Sequence, residues 1–230
     1  MVSKIVRWIK YVLVAFVVSS VLSVLVLKWM PVYFTPLMFI RLGEQFIDGD
    51  ELKLEHEWVP LSEISDNMPR AVMASEDARF LQHKGFDFRE IYKARLAAMD
   101  GGRERGASTI SQQTAKNVFL WPGHSWVRKG FEAYFTVLIE AVWGKRRIME
   151  VYLNSIEMGR GIYGVKAAAR HSFDCSPASL TTGQAALIAA TLPDPLHRDS
   201  ANPTGKLLER RSRIRTSMHS IRNPHWGVEN

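Results

Sequence analysis

The 230-residue sequence predicts a mainly α-helical protein that begins with one membrane-spanning helix. From Leu61 onward, apolar side chains recur at helical spacing, and capping residues, Gly or Pro stand at the ends of these segments. Outside the first thirty residues, no run alternates apolar and polar side chains over several positions, as a half-buried strand would. The length allows one compact domain plus an appendage, and we see no internal repeat.

The first element is an uncharged run from Tyr11 to Leu27, which a Trp and a Lys flank on each side. A bilayer core needs about 20 apolar residues, and flanking lysines can reach the headgroups, so we predict a transmembrane helix over 11–30. Basic residues precede the run, which favours 1–10 as a cytoplasmic tail and places the rest of the chain across the membrane. A cleaved signal peptide is the alternative, but no small-x-small site follows the run, so we expect an uncleaved anchor.

The next segment, 31–50, is unusually aromatic and apolar for a linker, above all from Pro31 to Phe46. It either packs on the core or lies in the lipid interface, and the sequence favours neither alternative. Both alternatives keep the main domain, predicted over 51–230, close to the bilayer.

The helices of that domain are predicted from residues that favour or end helices at particular positions. Ser62 can cap a short helix, and Pro69 suits the first turn of the next one. A flexible, charged loop is predicted over 101–106, and Ser108 is predicted to cap the helix that follows. The remaining predicted helices cover 108–118, 127–142, 145–153, 182–192 and a basic segment that opens at Asn202.

The composition and net charge limit the classes of function that the protein can have. A hydrophobic content of 47% and a charged content of 23% describe an ordinary globular chain. The net charge of +7 suggests anionic partners, among which phospholipid headgroups and pyrophosphates rank beside nucleic acid. The single Cys175 cannot form an internal disulfide, and no activated Cys/His pair stands near it, which argues against a catalytic thiol.

The segment Glu76–Asp87 holds two adjacent carboxylates, a Phe and a His within a turn-rich stretch. Glu76 and Phe80 are four residues apart, so they are predicted to share a helix face. Such a carboxylate can serve as a general acid or base. A glutamate alone would more often be a solvated helix-end residue, and only the whole segment favours catalysis.

The segment Gly106–Asn117 predicts a polar helix face made of Thr109, Gln112, Gln113 and Lys116. Hydroxyl and amide groups suit sugar hydroxyls, and the lysine supplies a point charge for phosphate. An ordinary amphipathic surface helix is the alternative, which the preceding mobile loop makes less attractive.

Two further segments complete the pattern. Arg128 and Glu132 are one helical turn apart, so they predict either a structural salt bridge or a second active-site carboxylate beside cations that neutralise a leaving group. The segment Lys145–Asn154 is expected to be structural, with Glu150 supporting the cleft by hydrogen bonding.

These segments closely resemble the peptidoglycan glycosyltransferases of family 51, written E-D-x-x-F-x-x-H-x-G-x-D, G-x-S-T-I-x-Q-Q-x-x-K-N, R-K-x-x-E and K-x-x-I-L-E-x-Y-L-N. The resemblance runs from about Leu61 to Met218, with Met149 in place of a Leu. It implies a lysozyme-like helical lobe with a smaller membrane-facing jaw. It also implies that lipid II is polymerised into β-1,4-linked glycan strands, with inversion and release of undecaprenyl pyrophosphate, at the bacterial inner membrane.

The resemblance implies Glu76 and Glu132 as catalytic residues. It implies lipid II, the growing lipid-linked strand, membrane lipids and other cell-wall synthesis or division proteins as partners, and no nucleic acid. It implies no tightly bound cofactor and no assigned metal ligand, while leaving room for a divalent cation, Mg²⁺ or Mn²⁺. The substrate-binding residues that it implies are Asp77, Phe80, His83, Ser108, Thr109, Gln112, Gln113, Lys116, Asn117, Arg128 and Lys129.

Two departures from the family pattern stand out. Ala107 replaces a frequent glycine, and His124 replaces an arginine that is thought to assist pyrophosphate binding, a task that a neutral imidazole performs less well. The sequence has no Ser-x-x-Lys and no Lys-Thr-Gly, so no transpeptidase activity is expected. A lytic enzyme that cleaves glycan strands and a catalytically silent membrane scaffold are the alternative functions.

Overall fold

The computed structural model describes residues 2–101, 106–123, 125–222, 224 and 226. Over these residues the chain forms ten α-helices and three short strands, which confirms the mainly α prediction. The helices are α1 Val2–Leu27, α2 Pro36–Asp48, α3 Asn67–Glu76, α4 Phe88–Met99, α5 Ile110–Phe119, α6 Trp126–Val142, α7 Gly144–Ser155, α8 Gly164–Phe173, α9 Thr182–Thr191 and α10 Gly205–Met218. The strands are β1 Glu55–His56, β2 Glu157–Gly159 and β3 Ile162–Tyr163.

Helix α1 is apolar and long enough to cross a membrane, and it begins well before the predicted residue 11. Its second half packs on the folded body. Val24 and Ser20 are buried, and the Trp143 indole donates a 2.7 Å hydrogen bond to the Val24 carbonyl. Arg147 donates to the Leu27 carbonyl at 2.9 Å. The helix is therefore part of the fold and not a free tether.

Helix α2 occupies the aromatic segment after α1. Thr35 caps its first turn, and Pro36 begins it. One face packs inward through Met38 and Gln45, whereas the other carries three exposed apolar side chains, Phe39, Phe46 and Ile47. The packed alternative therefore holds for one face, and the opposite face has the character that an interfacial helix needs.

The core lies where α3, α9 and α10 pack together and where α5 packs against α6 and α7. The three strands form one small sheet in the order β1-β3-β2, with β1 parallel and β2 antiparallel to β3. Strands of two or three residues are too short for an alternating pattern to reveal them. Gly161 joins β2 to β3 at φ 67°, where a side chain would overlap the Lys53 carbonyl.

Several local predictions need correction. Ser62 lies inside a single 3₁₀ turn, Leu61–Glu63, and does not cap a helix. Thr109, not Ser108, caps α5, in a reciprocal capping box with Gln112. Of the predicted mobile loop, residues 102–105 lie outside the described residues, as does His124.

The predicted helix face shared by Glu76 and Phe80 is also wrong. Helix α3 ends at Glu76, and Asp77 leaves the helical conformation. Phe80 instead enters the core with no exposed surface, and the Lys145 ammonium lies 4.4 Å from its ring centre. The Asp77 carboxylate bonds to His83 and to the backbone of α5, so contacts distant in the chain end the helix here.

Candidate active site

Helix α5 holds two glutamates through two consecutive glutamines. The Gln113 amide donates to Glu76 Oε2 at 3.2 Å, and the Gln112 amide donates to Glu132 Oε1 at 3.5 Å. The beginning of α5 is fixed from both sides. Its first amide, that of Ile110, donates to the Asp77 carboxylate at 3.1 Å, and the capping box closes the turn. One short helix thus connects the two residues that the sequence predicts to be catalytic.

Glu76 sits at the carboxyl end of α3 among mostly neutral donors. Ser75 Oγ donates to Glu76 Oε1 at 2.7 Å, and an Arg210 nitrogen lies 3.7 Å from the same oxygen. The Glu76 side chain is 13% exposed, so it can meet a ligand from solution. Two neutral donors therefore make the hydrogen bonds to Glu76, and its one ion pair, with Arg210, is longer at 3.7 Å.

The Gln113 amide is itself oriented by Tyr152. The Tyr152 hydroxyl donates to Gln113 Oε1 at 3.2 Å, which turns the amide nitrogen toward Glu76. Burial raises the pKa of Tyr152 well above its ordinary value, and the negative charges of Glu76 and Asp77 add to the effect. The phenol therefore stays protonated and remains a donor at working pH.

Glu132 has a different environment, since its side chain is 4% exposed and two cations hold it. Arg128 Nη1 donates to Glu132 Oε2 at 2.8 Å, and the Lys129 ammonium contacts Oε1. The same ammonium also donates to Ser108 Oγ at 3.1 Å. The predicted salt bridge is therefore present, and it is formed inside the predicted active-site cluster.

Lys116 adds a further positive charge to this cluster. Burial lowers the pKa of Lys116, Glu132 opposes that effect, and the nearby cations Arg128, Lys129 and Arg41 lower the pKa further. One carboxylate thus faces several cations. Such an excess of positive charge in a sheltered place suits an anionic group that enters from outside.

A cavity of about 430 Å³ opens beside Glu76. It lies between the end of α3, the loop before α5, and the face of α4 that carries Glu90 and Lys93. Ser108 and Thr109 line it together with Glu76. Glu132 does not contribute to the described wall, because its carboxylate is buried against α5.

Some predicted binding residues have structural roles in this arrangement. Asp77 accepts a 3.0 Å hydrogen bond from His83, and Thr109 Oγ1 donates to the Gly85 carbonyl at 2.6 Å. Asn117 is 2% exposed and Phe80 is fully buried. Both side chains are therefore part of the packing around α5, and their predicted contact with substrate stays a prediction.

Asp77, His83 and Asp87 each place one atom that could bind a divalent cation within 4.8 Å of the others. The Asp77 oxygens already accept from His83 and from the α5 backbone. One Asp87 oxygen caps α4 and lies 3.3 Å from the Arg79 guanidinium. Mg²⁺ requires several free oxygens in octahedral geometry, so these residues do not fit it, and we assign no metal ligand.

Three further residues belong to the site although the sequence does not predict them there. Ser75 carries no signal of its own, since a serine beside a glutamate is common, and Tyr152 is the tyrosine of the fourth family motif, in a segment that is predicted to be structural. Arg210 lies in the predicted basic segment after Asn202, where the sequence does not distinguish one arginine from another. Its contact with Ser75 spans 135 positions of sequence, which no local pattern can show.

Comparison with known proteins identifies the family of this chain. The family model described as "Transglycosylase" matches residues 45–219. A Bacteroides thetaiotaomicron protein described as "Biosynthetic peptidoglycan transglycosylase" is 55% identical over 220 residues, covering 96% of this chain and 89% of that protein. Proteins of the same description from Chromohalobacter salexigens and Pseudomonas syringae are each 46% identical, covering 94% and 96% of this chain and 92% and 94% of their own lengths. The chain therefore belongs to the transglycosylase family.

Proposed function

We propose that this protein polymerises lipid II, the undecaprenyl-pyrophosphoryl disaccharide-pentapeptide, into β-1,4-linked glycan strands of peptidoglycan. Membership of the transglycosylase family supports glycosyl transfer in cell-wall synthesis. The observation that carries the finer proposal is the pair of glutamates held by Gln113 and Gln112, one beside an open cavity and one inside a cationic cluster.

In the proposed reaction, Glu76 takes the proton from the 4-hydroxyl of the acceptor sugar. The freed oxygen attacks the anomeric carbon of the sugar that ends the lipid-linked strand. The bond from that carbon to the pyrophosphate oxygen breaks with inversion, and the bonding electrons leave with undecaprenyl pyrophosphate. The position of Glu76 at the cavity and its neutral donors support this role, because a base needs an accessible oxygen that is free to accept a proton.

The departing pyrophosphate is proposed to meet Lys116, Arg128 and Lys129. Glu132 keeps these cations together in the absence of substrate, since it is bonded to two of them. Negative charge grows on the leaving oxygen in the transition state, and pre-placed cations stabilise it without reorganisation. A divalent cation that travels with the pyrophosphate stays a proposal for which this chain offers no assigned ligand.

The protein is proposed to be a single-pass protein of the bacterial inner membrane, with 1–10 in the cytoplasm and the domain at 51–230 in the periplasm. The length and composition of α1 support the anchor. The exposed apolar face of α2 supports contact of segment 31–50 with the lipid interface. Both features bring the site close to a substrate whose lipid tail remains in the bilayer.

We also propose that these residues carry no transpeptidase activity. One triplet typical of transpeptidases, Ser-x-Asn, does occur as Ser65-Asp66-Asn67. Here, however, it begins α3, and Ser65 and Asn67 both donate to the Leu180 carbonyl, at 2.8 and 3.0 Å. Its polar groups are used for packing α3 against the segment before α9.

The test is incubation of the full chain in detergent with fluorescently labelled lipid II, followed by gel separation of polymer. We expect glycan strands to form. A parallel incubation with purified sacculi distinguishes the lytic alternative, which would release soluble fragments and leave lipid II unpolymerised. No reaction with either substrate would support the silent scaffold and contradict the proposal.

A further inference from the structure

The C-terminal helix α10 reaches the predicted base through Arg210. An Arg210 nitrogen donates to Ser75 Oγ at 3.2 Å and lies 3.7 Å from Glu76 Oε1. Ser75 Oγ in turn donates to the same Glu76 oxygen at 2.7 Å. Cation, hydroxyl and carboxylate thus form one connected group at the end of α3.

The position of Arg210 is set by packing and not by the ion pair alone. Helix α10 packs on α3 and α9 and buries Leu207, Ile214 and Met218. Arg70 of α3 donates to the Met218 carbonyl at 2.9 Å, which ties the far end of α10 to the same helix that ends at Glu76. A guanidinium held in this way loses little freedom when it faces the carboxylate.

Other charged or titratable groups also face this region. Among the residues that the structure describes, Arg210 is the cation whose ion pair with Glu76 lies within 4 Å. The other groups are more distant neighbours or line the cavity: Asp77 and Arg79 after α3, Glu90 and Lys93 of α4, and Tyr152 of α7.

We propose that Arg210 is a positioning residue that, together with Ser75, holds the Glu76 carboxylate in the orientation in which it serves as the base of glycosyl transfer. This inference rests on the proposed function of Glu76. The Arg210 guanidinium and the Ser75 hydroxyl both approach Oε1 of Glu76, which leaves Oε2 to the Gln113 amide. Without the guanidinium, Ser75 and Glu76 lose a shared partner, and the orientation of the carboxylate is less defined.

The experiment compares full-length Arg210→Gln, Arg210→Lys and Arg213→Gln in the labelled lipid II assay, with kcat and KM determined separately for each variant. Arg213 is an exposed arginine on the same helix, so Arg213→Gln removes the same charge at a distance from Glu76. For Arg210→Gln we expect kcat to fall on the order of tenfold from the loss of alignment, with KM for lipid II nearly unchanged, because Arg210 acts on the base.

Arg210→Lys is expected to restore most of kcat, and Arg213→Gln to leave kcat and KM unchanged. A fall in kcat of Arg210→Gln that follows a loss of folded protein, with no rescue by lysine, would show a purely structural role and overturn the inference. Thermal unfolding checks the fold, and if Arg210→Gln does not fold, unchanged kcat after Ser75→Ala overturns the inference as well. If the wild type fails to polymerise lipid II, the proposed function itself has failed, which is a different result.

Discussion

The two glutamates of the site are bonded to the same helix but have opposite surroundings. Glu76 receives hydrogen bonds from a serine hydroxyl and a glutamine amide, and its nearest cation is 3.7 Å away. Glu132 is more deeply buried, and both of its oxygens contact cations. The residue type is the same, so the surroundings decide what each carboxylate can do.

A proton acceptor needs an oxygen that a substrate can approach, and Glu76 has one beside the cavity. Glu132 is the counter-charge of the buried Arg128 guanidinium, and it also pairs with the more exposed Lys129 ammonium. Glu132 is therefore suited to organise positive charge, and Glu76 is suited to move a proton. This difference can be tested by making the same substitution, Glu to Gln, at Glu76 and at Glu132.

The largest effect is expected for Glu76→Gln. The amide has nearly the same shape but cannot accept the proton, so turnover of lipid II should fall by about 10²–10⁴-fold. Thermal unfolding should change little, because no buried charge loses its partner. Retention of more than half of the wild-type turnover would contradict the role of Glu76 as the base.

In contrast to Glu76→Gln, Glu132→Gln should reduce the stability of the folded protein as well as its activity. Removing one partner of a buried ion pair leaves the other charge uncompensated, which costs about 3–5 kcal/mol. Arg128 is itself 8% exposed, so it cannot turn easily to water. Thermal or denaturant unfolding of Glu132→Gln beside Glu76→Gln measures the difference directly.

A double variant provides the control for this comparison. Combining Glu132→Gln with Arg128→Met removes both charges of the pair, so it should recover much of the stability but not the activity. Equal unfolding midpoints for Glu76→Gln and Glu132→Gln would show that the two environments do not differ in the way the structure indicates.

The comparison also shows what the sequence could and could not predict. Arg128, Lys129 and Glu132 lie within five consecutive positions of one helix, so periodicity alone predicted that they meet. Phe80 was misplaced because a continued helix was assumed, whereas the Asp77 contact with the α5 backbone draws the chain out of the helix. Contacts made across more than a hundred positions, such as Arg210 with Ser75, depend on how helices pack, which spacing does not encode.

A variant at Lys116 tests the cluster of cations around Glu132, and its expected effect on stability is smaller than that of Glu132→Gln. Burial lowers the pKa of Lys116, so the folded state disfavours its charged form relative to the unfolded state. Lys116→Met should therefore raise the unfolding midpoint at neutral pH while weakening binding of lipid II. The affinity of the wild type should also fall more steeply with salt than that of the variant, because the lost contact is electrostatic.

The sign of the pH dependence follows from linkage. Below the lowered folded-state pKa, Lys116 is charged in both states and its burial cost is fully present. As pH rises through that pKa toward the ordinary lysine value, the folded state loses the proton first and the cost disappears. The stability gain of Lys116→Met should thus shrink with rising pH, and a gain that grows instead would contradict the assigned cause.

The smallest effect is expected where α1 supports the helix of Glu132. The Tyr134 hydroxyl of α6 shares a 2.7 Å hydrogen bond with Ser20 Oγ of α1, beside the contact of the Phe16 and Phe131 rings at 5.5 Å. Ser20→Ala should cost about 1 kcal/mol, or roughly 2–4 °C in unfolding midpoint, because one hydrogen bond is lost. Ser19→Ala is the matched control, since Ser19 is exposed and bonds only within α1. If α1 supports only the surroundings of Glu132, Ser20→Ala should weaken lipid II binding slightly and leave kcat unchanged. A fall in kcat would mean that α1 also affects the surroundings of Glu76, and the two environments would then be coupled.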